Sequence, residues 1–232
     1  MVHGWVTEIG GSYYLADLVL EMMNEIGHPP APGARVLDFS CSSGRVVRPL
    51  AAARPEVSWN GCDPNADAIE WMRENVPAVE VLVSPTTPPL PLPDDSFDLV
   101  FAISVWSHYS AGAALTWLEE LHRLVRPGGH ILLTTHGLQA CIWFSNNPDH
   151  AIGQRLGPDW IADTTKRLQH DGHCFWDVFG EAGDWGVVDR EWGLAFFTPE
   201  WLLASITPKL AVRNYRIGGA HGNQDIYVLQ RT

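Results

Sequence analysis

Positive charge is scarce in this sequence: 15 Lys and Arg stand against 27 Asp and Glu, a net charge of −12 over 232 residues. A nucleic-acid binder needs a basic face to neutralise phosphates, so this deficit argues against a nucleic-acid partner. It argues against an anionic membrane surface for the same reason. Long hydrophobic runs are missing as well, and no stretch reaches the roughly 18 apolar residues that a spanning helix needs. The start, MVHGWVTEIGG, has no basic segment leading into an apolar run, so no signal peptide is expected. Cysteine is sparse. Cys41, Cys62, Cys141 and Cys174 form no CxxC pair, which removes zinc-site spacing and leaves four reduced thiols in a cytoplasmic protein as the reading. There is no repeat, low-complexity tract or long charge run. What remains, 46% apolar and 18% charged residues, is a globular balance that suits one open α/β domain.

One residue type is over-supplied. Of 11 Trp, six fall in residues 143–201: Trp143, Trp160, Trp176, Trp185, Trp192 and Trp201. Core and lid packing is the plain reading. An aromatic substrate pocket is the functional one.

Along the chain, residues 12–26 place Leu15, Leu18, Val19, Met22, Met23 and Ile26 on one helical face, stopped by Gly27. Strand-like runs follow at 34–39, 57–63, 79–83, 97–104 and 130–136. Helical patterns fall between them at 44–53, 66–75 and 112–125. In the last of these Leu118, Leu121 and Val125 share a face, with Glu119, Glu120 and Arg123 expected away from it. RPGG (126–129) reads as a turn. Such alternation means right-handed βαβ crossovers and a parallel sheet with helices on both faces. Residues 12–136 are the expected core. Residues 137–197 break the rhythm and read as a Trp-rich lid inserted over the sheet's mouth. Residues 198–232 read as a helix capped by Thr198, followed by two strands.

The segment VLDFSCSSGR (36–45) ends a buried strand in an acid, turns on small residues and opens a helix. Small residues let backbone N–H groups approach a ligand closely. Dinucleotide-binding folds use the same device but want G-x-G-x-x-G, which this turn lacks. About 20 residues on, a second strand ends in Asp63, an acid placed to accept both hydroxyls of a ribose. Capping the next helix is the plain alternative for Asp63.

Taken in order, VLDFSCSSGR, GCDPNADAIEW, PLPLPDDSFDLVFAISVWSH and LHRLVRPGGHILLTTHG resemble the motif set of class I S-adenosylmethionine (SAM)-dependent methyltransferases, bacterial small-molecule enzymes above all. The resemblance covers roughly residues 34–137. It is weaker at FFTPEW and HGNQDIYVLQR. It implies an α/β, Rossmann-like sheet of seven strands in the order 3-2-1-4-5-7-6, with strand 7 antiparallel. It also implies that Asp38 sits near the methionine end of SAM and that Ser40, Cys41, Ser42 and Gly44 pass under methionine and ribose. By the same resemblance Asp63 holds the ribose, Pro64, Ser84 and Pro85 lie near the adenine, and Ala102, Ile103 and Ser104 offer a backbone carbonyl to the ammonium. The turn departs from acid-x-Gly-x-Gly-x-Gly: Ser40, Ser42 and Gly44 stand at its glycine positions. If residue 40 adopts φ > 0, a serine there costs about 1–2 kcal/mol of strain.

Methyl transfer needs nucleophile, methyl and sulfur in line and water excluded. A hydroxyl acceptor also needs its proton removed, and His is the usual base near neutral pH. His108 is the first choice and His136 the second, both at strand C-terminal ends. His221, in the last loop, is grouped with the acceptor site. A structural histidine is the plain alternative for each, and no carboxylate pattern points to a metal. Tyr13, Tyr14, Trp106, Trp192 and Phe196 are expected to line the acceptor pocket. The expected activity is methyl transfer from SAM, yielding S-adenosylhomocysteine, to oxygen on a small molecule of a natural-product or glycan pathway. Transfer to N or C stays open. So does a methyltransferase-like scaffold without catalysis, for which Ser40 speaks. A homodimer is left open too.

Overall fold

Side chains that alternate across the central strands set the architecture. The computed structural model describes residues 6–184, 187–206 and 208–232 and, within them, all side chains but those of residues 6–12, 152 and 155. Trp185 therefore lies outside the described residues. Val36, Leu99, Phe101, Leu132, Ile226 and Val228 point to one face of the sheet. Leu37, Val100, Ile131, Leu133, Tyr227 and Leu229 point to the other. Both faces are apolar, as a doubly covered sheet requires. Helices α1 (Val6–Glu25), α2 (Val47–Ala53) and α3 (Ala66–Asn75) cover the first face, while α4 (Ala111–Leu124) and α8 (Pro199–Ile206) cover the second.

Strands β1 (Arg35–Phe39), β2 (Ser58–Asp63), β3 (Val79–Val83), β4 (Phe97–Ala102) and β5 (Val125–His136) run parallel in the order 3-2-1-4-5. Beyond β5 the sheet continues through β9 (Gln224–Arg231), antiparallel to β5 from His130↔Gln230 to His136↔Gln224, and ends in β8 (Leu210–Ala220). Counting only these seven strands, the order is 3-2-1-4-5-7-6 with strand 7 antiparallel, as the resemblance implies.

Three details differ from the sequence reading. The segment 137–197 adds strands as well as α5 (Leu138–Asn146), α6 (Ala151–Leu156) and α7 (Trp160–Asp171). Its β6 (His173–Trp176) and β7 (Leu194–Phe197) pair antiparallel and join β5 through His136↔Phe196. RPGG is an irregularity inside β5, where the register against β4 shifts between Phe97 and Leu99. Glu120, expected to face solvent, is buried. Its carboxylate accepts the Leu90 N–H (2.7 Å) and pairs with Arg123 (2.6 Å), so α4 latches the proline-rich loop before β4.

Candidate active site

The C-terminal ends of β1, β2, β4 and β5 open into one cavity of about 1280 Å³. That exceeds the roughly 300–1,000 Å³ of an ordinary small-molecule pocket.

The turn after β1 keeps the glycine backbone with serine at two of its three positions: φ is +64° at Ser40, +49° at Ser42 and +76° at Gly44. At Gly44 a Cβ would also meet the end of the Met72 side chain, which would have to shift. Asp63 secures the turn. One carboxylate oxygen accepts the Ser42 N–H (2.7 Å), the other accepts the Asn65 N–H (2.9 Å), and the Ser40 side chain bonds it as well. Burial pushes the Asp63 carboxyl above the usual range, and these bonds oppose the shift. Capping of α3 falls to Asn65, whose side chain accepts from Ala68 N–H, so Asp63 is not the cap. Asp38 is 3% exposed, with one carboxylate oxygen lacking any partner. Burial raises its carboxyl well above the usual range, and Arg45 opposes that. The unpartnered Asp38 oxygen beside an open turn fits a ligand that brings an ammonium, which is what SAM carries.

Beyond the ends of β2 and β3, Pro64, Ser84, Pro85 and Thr86 line the wall together with Ala68 and Trp71 of α3. The Ser84 N–H donates to the Asp63 carbonyl (3.0 Å), which ties this loop to β2. Arg48 lies over the Trp71 ring at 5.2 Å.

The opposite wall carries the histidines. His108 Nδ1 is 2.7 Å from the Gly193 carbonyl, and the Gly193 N–H returns a bond to the His108 carbonyl (2.8 Å). A carbonyl only accepts, so Nδ1 holds the proton and Nε2 is the basic nitrogen. The ring stacks on Trp192 at 4.6 Å, and Trp192 Nε1 donates to Asp184 (3.0 Å). Burial lowers the His108 pKa, while the Gly193 bond and Asp184 oppose the shift. His136 is buried more deeply, against Phe144 and Phe196. Its pKa falls to about 3, chiefly through burial. Burial thus favours the neutral form of both rings.

Of the residues singled out in the sequence, Asp38, Ser40, Cys41, Ser42, Asp63, Pro64, Ser84, Pro85, Ile103, Ser104, His108, His136, Tyr13 and Trp192 line this cavity. Gly44 supports it from behind. Ala102 is buried in the sheet, one residue short of the lining. Four expectations are corrected. Trp106 is fully buried in the core, its Nε1 donating to the Ala114 carbonyl, because the chain turns inward after β4. Phe196 is a fully buried β7 residue beneath His136. Tyr14 and His221 pack on each other at 5.2 Å outside the cavity, with the Tyr14 hydroxyl donating to the Gly219 carbonyl. The lining also includes Tyr109, Phe144, Asp184, Asp189 and Gln224, which sequence reasoning missed. Gln224 had a signal, since it lies in HGNQDIYVLQR, but its pairing across the sheet is long-range. Among the described residues no three His, Cys, Asp or Glu gather as a metal set, and no helix is long and apolar enough to cross a membrane.

A family model described as "Methyltransferase domain" matches residues 36–129, the stretch holding the turn, Asp63 and β4. The ubiquinone biosynthesis O-methyltransferase of Cereibacter sphaeroides is 25% identical over 211 residues, 88% of this chain and 80% of its own length. The fatty-acid O-methyltransferase of Mycolicibacterium smegmatis is 34% identical over 104 residues, 44% of this chain and 37% of its own length. Among solved structures, magnesium protoporphyrin IX methyltransferase from Synechocystis PCC 6803, with bound S-adenosylhomocysteine, superposes with a TM-score of 0.62. That likeness covers 99% of this chain and 90% of the other at 14% identity, a likeness of fold.

Proposed function

We propose that this chain, which belongs to the class I SAM-dependent methyltransferases, methylates an oxygen on a small aromatic acceptor, with His108 as general base. The supporting observation is the anchoring of His108 through Nδ1, which leaves a neutral Nε2 in the same cavity as the Asp38–Gly44 turn. SAM supplies an electrophilic methyl carried on a sulfonium. The chain's own residues do the rest. Asp38 and Asp63 present acceptors to the ammonium and the ribose. His108 Nε2 takes the acceptor's hydroxyl proton as the oxygen becomes a nucleophile, and Nδ1–H stays on the Gly193 carbonyl. Tyr109, Phe144 and Trp192 give the acceptor end planar apolar walls that suit an aromatic ring and exclude water. Residues 137–197 act as the lid that carries Phe144 and Trp192. The similarity, over 88% of this chain, to a protein named as an O-methyltransferase agrees with an oxygen acceptor.

The experiment pairs calorimetry with turnover. Wild type and His108→Gln are titrated with S-adenosylhomocysteine, then assayed with SAM and a panel of small phenols, the product read by mass. Equal cofactor binding with a kcat lower by roughly 10²–10⁴ in the variant is the expected result. The acid limb of the wild-type kcat/KM profile lies below pH 6.5, because burial lowers the base's pKa, and it vanishes in the variant. Full activity in His108→Gln would remove the base, and with it the case for an oxygen acceptor.

A further inference from the structure

A closed set of hydrogen bonds at the cavity edge has no part in the chemistry above. It joins three strands that lie far apart in sequence. The N–H of Ser104, just past β4, donates to Thr134 Oγ1 on β5 (2.8 Å). The Thr134 hydroxyl proton then goes to Gln224 Oε1 on β9 (2.6 Å). That bond fixes which way the Gln224 amide faces, and its Nε2 donates back to Ser104 Oγ (3.0 Å). Thr134 is fully buried and Gln224 is 6% exposed, so the bonds are shielded from water.

The clasp holds an unfavourable conformation. Ser104 has φ +60°, a left-handed backbone that persists in a non-glycine residue only where its surroundings over-determine it. Position makes this matter. β4 pairs with β1 at Asp38↔Phe101, so residues 102–104 lie just beyond Asp38 and its unpartnered carboxylate oxygen. Ser104 lines the cavity, and Thr134 is absent from its lining.

We propose that Thr134, acting with Gln224 through Ser104, is a positioning residue for the amino-acid end of SAM. The proposal rests on reading the cavity as the SAM site. A cationic amino-acid group beside Asp38 meets the backbone of residues 103–104, and its fit depends on how that backbone is held. The adenosine end, served by Asp63, Ser84 and Trp71, does not touch the clasp.

The test compares two ligands that differ in that group alone. S-adenosylhomocysteine carries the amino acid, whereas 5′-methylthioadenosine replaces it with a methyl. Wild type, Thr134→Val and Thr134→Ser are titrated calorimetrically at a temperature where circular dichroism shows each folded. Thr134→Val is expected to weaken S-adenosylhomocysteine about tenfold or more while 5′-methylthioadenosine stays within about twofold, since only the first reads the freed Ser104 N–H and Gln224 amide. Thr134→Ser keeps the hydroxyl and restores wild-type binding of both. Gln224→Met, which cuts the same clasp from β9, gives the same difference and stands in if Thr134→Val does not fold. Unchanged binding of S-adenosylhomocysteine in both variants overturns the proposal, as does equal weakening of the two ligands. If wild type binds neither ligand, the SAM site itself is wrong and the proposal falls with it.

Discussion

Position 40 sets two forces against each other. The left-handed backbone of Ser40 (φ +64°) costs a non-glycine residue about 1–2 kcal/mol. Its side chain bonds the buried Asp63 carboxylate, and a bond to a charged group contributes about 1.5–3 kcal/mol. The two nearly cancel, so a serine holds a glycine's place at little net cost. Ser40→Gly is expected to leave stability within about 1 kcal/mol of wild type, while Ser40→Ala, which keeps the strain and loses the bond, costs about 2 kcal/mol. Urea midpoints of the two variants check the order. A second effect belongs to His136. Its folded pKa of about 3 lies below the ordinary histidine value, so between those limits the unfolded chain binds the extra proton. Stability from this ring is complete above about pH 6.5 and is lost as the pH falls toward 3. Replacing it with Phe should remove about 2 kcal/mol of the loss that wild type shows between pH 7 and pH 5, measured by urea unfolding at both.

Among the elements, the β6–β7 pair holds His108, the proposed base. Gly193, just before β7, exchanges two bonds with His108, and a Cβ on it would meet the Trp176 carbonyl at 2.3 Å and the Phe175 ring at 2.8 Å. Gly193→Ala is therefore expected to cost about 1–3 kcal/mol and to lower kcat more than cofactor affinity. Thermal melting and S-adenosylhomocysteine titration separate the two effects. This hairpin is also where sequence reading stopped. The helix over 66–75 and the strand over 79–83 were legible to the residue, because a capped amphipathic run and a short apolar run each carry a local signal. HCFW and LAFF are too short to show a period and become strands only by pairing with each other and with the end of β5. Asp38 and Asp63 were legible for a similar reason, since an acid at a strand end is a local pattern. Trp106 was misplaced because nothing local tells a pocket tryptophan from a core one. The pairing of Thr134 with Gln224 was invisible because it joins residues some ninety positions apart.

For the whole molecule, ligand and fold are linked. Binding to the native state alone stabilises it by about 2.7 kcal/mol at a hundred times Kd, or roughly 5–10 °C for a chain of this size. S-adenosylhomocysteine at that excess should raise the Tm of wild type by this amount and leave Asp63→Ala unmoved, which differential scanning fluorimetry resolves.

The place of β9 gives the protein a schedule. Last among the described strands in chain order, it fills the gap between β5 and β8, and Gln224 at its start closes the clasp on Ser104. During synthesis on a ribosome β1 to β5 can pair as they emerge. Among the described strands, β8 has none to pair with until the segment after it arrives. The cavity is thus among the last features to take shape, and a nascent chain halted before residue 224 has Asp38 and Asp63 in place yet no finished wall beside them.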